Sequence, residues 1–586
     1  MTITKTARRA EPTTKGTTSD ASERGDWPQR AWIMVGMAGA AGLAIGLITD
    51  WTDLPERFPV WRQLAVTLLF VATIAAVVVV EQVRWRWAAA FAIGAALAMM
   101  GIGWSSLSYD PQSPNLFEWP FLAAAFATLI AAPLFQTARD EGAWRFPYAV
   151  LHRHAWTDAV IGAASVAFVG IGFLLAFLIS QLLELIGLGF LERALEESWF
   201  NCTLAGAAFG GAAGLLRERD ALLATLLRVV LVVFSVLAPV FAAGLALFLL
   251  ALPFTGLEAL WETDRATPIL LTCAAGAMLL TNAVIGDGED DARRTHVLRI
   301  AALILAFAIL PLAAISAISM GQRISQYGWT TERLWGAVTV FVALCYGAVY
   351  LWSAVRGRLD FASVLRPWNT RLAIATCALA IVLAIPFVDF GAISARSQLA
   401  RLERGVVTPE RFDWAALRFD FGPAGRSAVQ RLARSGDKQI AALAAAALKR
   451  DDRYTLEADR QAEASLQTLN ARIRVIPQGM TLPDDLRRAL ARASVCSDQG
   501  NCAVLYDAAR QEAAVIGIPC RDCAHQVQIM RKQGGVWINN GPRAVEIGTD
   551  ERRRTANAIA TGRLDVRPVE RRQLFLDGKP VGDAFE

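Results

Sequence analysis

The chain has 586 residues, of which 54% are hydrophobic and 19% charged, with a formal net charge of +5 and a mean hydropathy of +0.37. An average soluble protein is about 25% charged. This composition excludes a disordered chain, a coiled coil and a typical soluble enzyme, and it indicates that much of the chain is dissolved in lipid.

Residues 1–30 are rich in Thr, Ser and charged side chains and contain almost no large apolar ones. They are predicted to form a disordered cytoplasmic tail. A cleaved signal peptide is not expected, because the first apolar run starts late and is long enough to span a membrane.

Eleven apolar runs follow, each near the roughly 20 residues that a helix needs to cross about 30 Å of hydrocarbon. They lie at 31–49, 62–80, 87–104, 117–135, 159–183, 199–216, 229–252, 268–285, 298–320, 335–353 and 371–391. Lipid offers no partner for backbone amides, and the runs do not alternate as barrel strands do, so each is predicted as a helix. Residues 31–391 are therefore expected to fold as an all-α polytopic membrane bundle.

Glycine spacing and loop charge add detail to this bundle. The pairs Gly42-x3-Gly46, Gly206-x3-Gly210 and Gly210-x3-Gly214 predict close helix contacts. The tail and the alternate loops that follow hold 21 Lys and Arg residues, whereas the other loops hold 6. Because cytoplasmic loops attract these residues, the N-terminus is expected in the cytoplasm of a bacterial cell and the C-terminal region in the periplasm.

Beyond the bundle the composition becomes that of a soluble protein. Residues 392–586 contain 31 Lys and Arg against 24 Asp and Glu, a charge of +7. Residues 392–467 have helical periodicity, and residues 468–586 are predicted to form a small α+β domain. Its expected elements are a helix from Pro483 to Ala493 and strands at 472–476, 513–518, 525–530, 535–538 and 573–576.

Eight cysteines divide evenly between the two regions. Cys202, Cys273, Cys345 and Cys377 lie in apolar runs and are expected to act as small hydrophobic residues. Cys496, Cys502, Cys520 and Cys523 lie in the region predicted to be exported, where disulfides form. The pairing stays open, and a four-thiolate zinc site or a Cys520–Cys523 redox pair are the alternatives.

Few residues point to chemistry, and no cofactor or metal site is predicted. His152 and His154 fall in a segment predicted to be a solvated loop. Glu258, Glu262 and Asp264 lie in an outer loop, where carboxylates could act on a lipid-linked substrate at the membrane boundary. The alternative is that they only solvate helix ends.

Three segments carry a family resemblance. They are Gln322–Leu334, which contains Tyr327-Gly-Trp-Thr-Thr-Glu-Arg333, together with 256–261 and 412–420. They resemble the bacterial multi-pass membrane family of the domain-of-unknown-function 4153 type, in its alphaproteobacterial branch, over residues 30–435. The resemblance implies an integral inner-membrane protein without assigned activity.

The first of these segments also holds candidate ligand-binding residues. Arg323 and Arg333 could bind a phosphate or carboxylate, and Tyr327 suits a membrane interface. A tight interfacial turn is the alternative.

The basic exported region predicts a non-enzymatic role: binding or moving an anionic lipid or cell-envelope component. An enzyme acting on a lipid-linked substrate at the periplasmic face is one alternative, with Glu258, Glu262, Asp264 and Arg323 as its candidates. A sensor or accessory subunit of a membrane complex is the other. Expected partners are the lipid bilayer, an anionic envelope polymer or lipid, and a membrane-complex subunit or second copy of the chain; nucleic acid is not expected.

Overall fold

A computed structural model describes most of the chain. The described residues are 29–50, 59–81, 84–109, 114–257, 266–288, 295–385, 388–450, 473–477, 479–492, 502–517, 525–539, 543–545, 572–576 and 579–585, with isolated positions between them. The chain divides into two compact units, Met1–Phe412 with Asp420–Ala428, and Asp413–Phe419 with Val429–Glu586.

The first unit is helical throughout its described part. Its helices are α1 (Arg30–Asp50), α2 (Val60–Val79), α3 (Trp85–Tyr109), α4 (Pro114–Glu141), α5 (Tyr148–Glu184), α6 (Phe190–Glu196), α7 (Ser198–Glu218), α8 (Asp220–Thr255), α9 (Ala266–Ile285), α10 (His296–Tyr327), α11 (Thr331–Gly357), α12 (Phe361–Ala384) and α13 (Phe390–Glu403). Ten described helical segments are long and apolar enough to cross a membrane, and the last, Thr331–Ala384, contains both α11 and α12 joined at Arg358–Asp360. Each of the eleven predicted runs thus corresponds to a long helix, and the polytopic bundle is confirmed.

Several helix boundaries differ from the prediction, among them the end of α12 and the start of α5. The last run was expected to reach residue 391, but α12 ends at Ala384 and Ile385 is extended. Proline disfavours a helical conformation in the residue before it, and Pro386 follows Ile385 in the sequence. Helix α5 begins at Tyr148, well before the predicted 159.

Glycines bring α1 and α7 into backbone contact. The helices are antiparallel, with Gly42 against the carbonyl of Cys202 and Gly206 against the carbonyl of Ala38. A Cβ atom at Gly214 would lie 2.6 Å from the Cα of Ala31. The predicted close contacts are therefore confirmed, and small residues permit them because only bare backbone fits at this separation.

The largest hydrophobic core lies among α8 to α12. Leu305 and Leu312 of α10 and Tyr350 of α11 are completely buried in it. Gly347 of α11 lets the two backbones approach, since a Cβ atom there would lie 2.7 Å from the Cα of Leu310. Close packing between helices replaces the hydrophobic driving force that lipid does not supply.

The chain continues through short helices into a small sheet. Helices α14 (Gly422–Leu432) and α15 (Lys438–Leu448) are followed by β1 (Ile473–Ile476), α16 (Asp484–Arg492), β2 (Cys502–Asp507), β3 (Glu512–Gly517), β4 (His525–Gln533), β5 (Val536–Asn539), β6 (Arg543–Val545), β7 (Arg572–Leu576) and β8 (Lys579–Phe585). Strand β1 runs parallel to β2, and β2, β3 and β4 pair antiparallel in that order. Both β5 and β6 pair with β4, and β7 and β8 form a separate hairpin.

This α+β architecture confirms the predicted fold class of the C-terminal region. Leu486 and Leu490 of α16 pack with Val504 of β2 and Val515 of β3. At the surface, the Lys532 ammonium lies 2.5 Å from an Asp485 carboxylate oxygen. This hydrogen bond lowers the pKa of the Asp485 carboxyl.

Candidate lipid-binding site

The C-terminal end of α2 is covered by side chains from three other helices. Arg30 of α1 donates a hydrogen bond to the Val80 carbonyl at 2.6 Å, and Arg139 of α4 donates one to the Val79 carbonyl at 3.0 Å. The Val78 carbonyl accepts two hydrogen bonds, one from Gln136 of α4 at 3.0 Å and one from Arg217 of α7. The last carbonyls of a helix lack intrahelical partners and carry the negative end of its dipole, which favours cations there. The start of α1 and the ends of α2, α4 and α7 therefore lie on one face of the bundle, which we call the basic face.

Acidic residues hold the arginines of the basic face in place. Arg139 lies 3.1 Å from Glu81 and 2.9 Å from Asp140, and only 9% of its side chain is exposed. Arg217 forms a 2.9 Å ion pair with Asp158 of α5, and both side chains are largely buried. These ion pairs keep the arginine side chains in place, because separating the partners would leave a buried charge without a counter-ion.

A cavity of about 400 Å³ opens between α3 and α4 at the basic face. Arg84, Trp87, Arg139 and Trp144 line it, and none of the described lining residues is acidic. The Arg84 guanidinium donates to the carbonyl of Arg139, while Trp87 and Trp144 are 65% and 87% exposed. Arginine and tryptophan together are typical of the lipid–water boundary.

An apolar cavity of about 620 Å³ continues along the same pair of helices. Its walls are mainly small residues of α3 and α4, with Ile381 and Ala384 of α12 and the following Ile385 completing them. Gly94 and Gly101 lie seven residues apart on α3, and a Cβ atom at either position would meet nothing within 4 Å. These glycines therefore leave open volume, in contrast to the glycines that join α1 and α7.

One ring pair lies between the two cavities. Phe91 lines the apolar cavity and Phe135 the basic one, and their rings stack with centroids 4.7 Å apart. We call the combined feature, from Arg84 and Arg139 at one end to Gly101 at the other, the α3–α4 slot. It offers positive charge at the basic face and an apolar surface along the helices.

The recognised segment Gln322–Leu334 forms a turn between α10 and α11. Gly328 has a φ of +75°, a conformation that glycine adopts readily. Arg333 donates to the carbonyls of Tyr327 at 3.3 Å and Gly328 at 2.9 Å, and its guanidinium lies 5.3 Å from the Tyr327 ring. Gln398 of α13 also donates to the Tyr327 carbonyl, at 2.9 Å. Tyr327 and Arg333 thus build the turn, and a ligand-binding role for them and Arg323 stays a prediction.

The other predicted site residues fall largely outside the described residues. Glu258, Glu262 and Asp264 do so, as do Cys496, Cys520 and Cys523. Cys502 lies buried on β2, and disulfides among the four cysteines of the C-terminal region stay a prediction. None of the four cysteines of the described helices is part of a disulfide. Among the residues that the structure describes, no group of three or more His, Cys, Asp or Glu is placed to hold a metal ion.

The sequence reasoning missed the slot because its residues do not resemble a motif. Arg84 counts as one more cytoplasmic loop charge, and Gly94 and Gly101 resemble packing glycines. The available signal was the spacing: a seven-residue interval places two glycines on one helical face, two turns beyond Trp87.

The fold defines a multi-pass α-helical membrane protein. Residues 64–432 match the family model described as "Domain of unknown function (DUF4153)". The chain belongs to this family, as the resemblance implied, and the slot lies within the matched residues. The alphaproteobacterial branch stays a prediction. No curated protein and no solved structure matches the chain.

Proposed function

We propose that this protein binds an anionic lipid in the α3–α4 slot. The lipid phosphate lies at Arg84 and Arg139, and an acyl chain lies along Gly94 and Gly101. The observation that carries this proposal is that the basic and the apolar cavity are neighbours along α3 and α4, each lined by one ring of the stacked Phe91–Phe135 pair.

Charge and shape support an anionic lipid over a neutral one. Arg139 is held by Glu81 and Asp140, whereas Arg84 donates to a backbone carbonyl, a bond that leaves its positive charge uncompensated. Basic pockets between membrane helices bind anionic head groups. The exposed Trp87 and Trp144 rings suit the depth of the glycerol and head-group region.

We further propose an orientation in the bacterial inner membrane. The basic face lies on the cytoplasmic side, following the excess of Lys and Arg in its loops. The N-terminus is then cytoplasmic, and residues 392–586, with their charge of +7, form a periplasmic region that attracts anionic envelope components. In this orientation the slot draws its lipid from the cytoplasmic leaflet.

Two neighbouring arginines provide the test. Arg84 lines the slot, whereas Arg86 lies over the Trp85 ring at 5.8 Å and is not among the lining residues. We expect Arg84→Gln to weaken binding of phosphatidylglycerol about fivefold, since one arginine near anionic lipid contributes about 1 kcal/mol. Arg86→Gln should change it by less than about twofold.

Native mass spectrometry of the full chain in nanodiscs measures both variants. The discs contain phosphatidylglycerol and phosphatidylcholine in equal amounts, and the ratio of retained lipids is compared. Equal losses in the two variants, or equal retention of both lipids by the natural protein, would contradict an anionic-lipid site in the slot.

A further inference from the structure

A third cavity, of about 340 Å³, lies between α5, α9, α11 and α12. Its volume is at the lower end of the range for ligand pockets. The sequence predicted a solvated loop around His152, but α5 begins at Tyr148 and carries His152 into the bundle. The predicted loop is wrong here because the helix extends past the apolar run that defined it. Polar and aromatic side chains from all four helices line this cavity.

Hydrogen bonds between helices fix the polar wall. Asn369 Nδ2 of α12 donates to Asn282 Oδ1 of α9 at 2.7 Å, and Asn282 Nδ2 donates to the Tyr350 hydroxyl of α11 at 2.7 Å. On α5, Trp156 Nε1 donates to His152 Nε2 at 3.0 Å. The same His152 nitrogen lies 3.3 Å from the backbone carbonyl oxygen of Asn282, which connects α5 to α9.

Two adjacent residues present buried polar atoms that make no hydrogen bond to any described residue. They are Asn369 Oδ1 and Thr370 Oγ1, and Thr370 is 8% exposed. Leaving such an atom unsatisfied costs about 1–3 kcal/mol. A buried polar atom without a partner calls for an explanation, and a bound group that donates to Asn369 and exchanges a hydrogen bond with Thr370 supplies one.

The cavity favours an uncharged group. None of its described lining residues is Asp, Glu, Lys or Arg, so a charged ligand would be left without a counter-ion in a region of low dielectric. The His152 ring lies 5.3 Å from the Tyr148 ring and 6.1 Å from the Trp156 ring. These rings offer a surface on which the C–H face of a hydroxylated ring packs.

We propose that this cavity binds an uncharged group bearing neighbouring hydroxyls, such as a sugar ring or a glycerol unit. One hydroxyl donates to Asn369 Oδ1, and the next pairs with Thr370 Oγ1. The site is separate from the α3–α4 slot and does not depend on the function proposed for it.

Thr370→Val tests the proposal because it keeps the shape of the side chain and removes the hydroxyl. The full chain in nanodiscs is titrated with two probes, methyl β-D-glucoside and monoglucosyl diacylglycerol, and bound probe is counted by native mass spectrometry. We expect at least one probe to bind the natural protein and Thr370→Val to weaken that binding at least tenfold. Thr370→Ser, which keeps the hydroxyl, should retain it.

Thr376→Val is the matched control on the same helix, since the Thr376 hydroxyl contacts the Tyr346 hydroxyl at 3.3 Å and Thr376 does not line the cavity. Binding of the glycolipid alone assigns a lipid-linked source, and binding of the free glucoside alone assigns a soluble one. The proposal is overturned if neither probe binds, if only Na⁺ or K⁺ binds, or if Thr370→Val binds as the natural protein does. Arg84→Gln should leave this binding unchanged, which separates it from the lipid site.

Discussion

Replacing Gly42 with alanine should separate α1 from α7. A Cβ atom at this position would overlap the Cys202 carbonyl and lie 3.1 Å from the Cα of Thr203, so backbone rather than a flexible side chain blocks it. Helices that must move apart to admit one methyl group lose about 1–3 kcal/mol to overpacking. Adjacent contacts along the interface loosen with it, because dispersion falls steeply with distance.

Gly36 of the same helix provides the control. A Cβ atom there meets nothing within 4 Å, so Gly36→Ala should be neutral or gain up to about 1 kcal/mol from helix propensity. The two variants should thus differ by about 1–4 kcal/mol in the free energy of unfolding. Unfolding of the purified protein in mixed micelles, titrated with sodium dodecyl sulfate, measures this difference. Equal stability of the two variants would refute the backbone contact between α1 and α7.

Three other predictions concern the ion pair, the slot and the membrane orientation. Arg217→Gln leaves the buried Asp158 carboxylate without its partner and should lower the free energy of unfolding by about 3–5 kcal/mol in the same assay. Adding Asp158→Asn should recover part of this stability. If the double variant recovers none, the two residues are not coupled. Gly94→Leu should fill the slot and reduce lipid retention at least tenfold without lowering stability. Gly162→Leu, at another open position, should leave lipid retention unchanged. Equal lipid retention by the two variants would argue against the slot. An impermeant maleimide added to intact cells should label the four cysteines of the C-terminal region only after reduction, whereas labelling without reductant, or only in broken cells, would contradict disulfides in a periplasmic domain.

The helices were predictable because the bilayer imposes one requirement on every spanning segment. A run of about 20 apolar residues has no stable alternative to a helix in lipid, and even the Gly-rich run 199–216 forms α7 (Ser198–Glu218). The glycine contacts followed from the same reasoning, since spacing alone places Gly206 and Gly210 on one face. Boundaries were harder, as α5 shows: its polar first turns carry His152 without the apolar signal that defines a span.

Strand β2 shows why part of the sheet was missed. Cys502–Asp507 begins with three buried residues in succession, so it lacks the alternation that revealed β1 and β3. Such a strand, which lies between β1 and β3, has the same pattern as any short apolar run.

The candidate sites depend on tertiary proximity that no local pattern encodes. Arg84 and Arg139 are 55 residues apart and meet because α3 and α4 pack together. Asn282 and Asn369 meet over 87 residues in the same way. A polar residue in a span predicts an interhelical hydrogen bond, but its partner is decided by which helices become neighbours.

The most direct test of the lipid-binding proposal is an electron cryomicroscopy map of the full chain in nanodiscs that contain phosphatidylglycerol. We expect acyl-chain density along Gly94 and Gly101, continuous with head-group density within hydrogen-bonding distance of the Arg84 guanidinium. A slot closed by contact between α3 and α4, or lipid density whose head group lies at the end of the slot away from Arg84, would contradict the proposal.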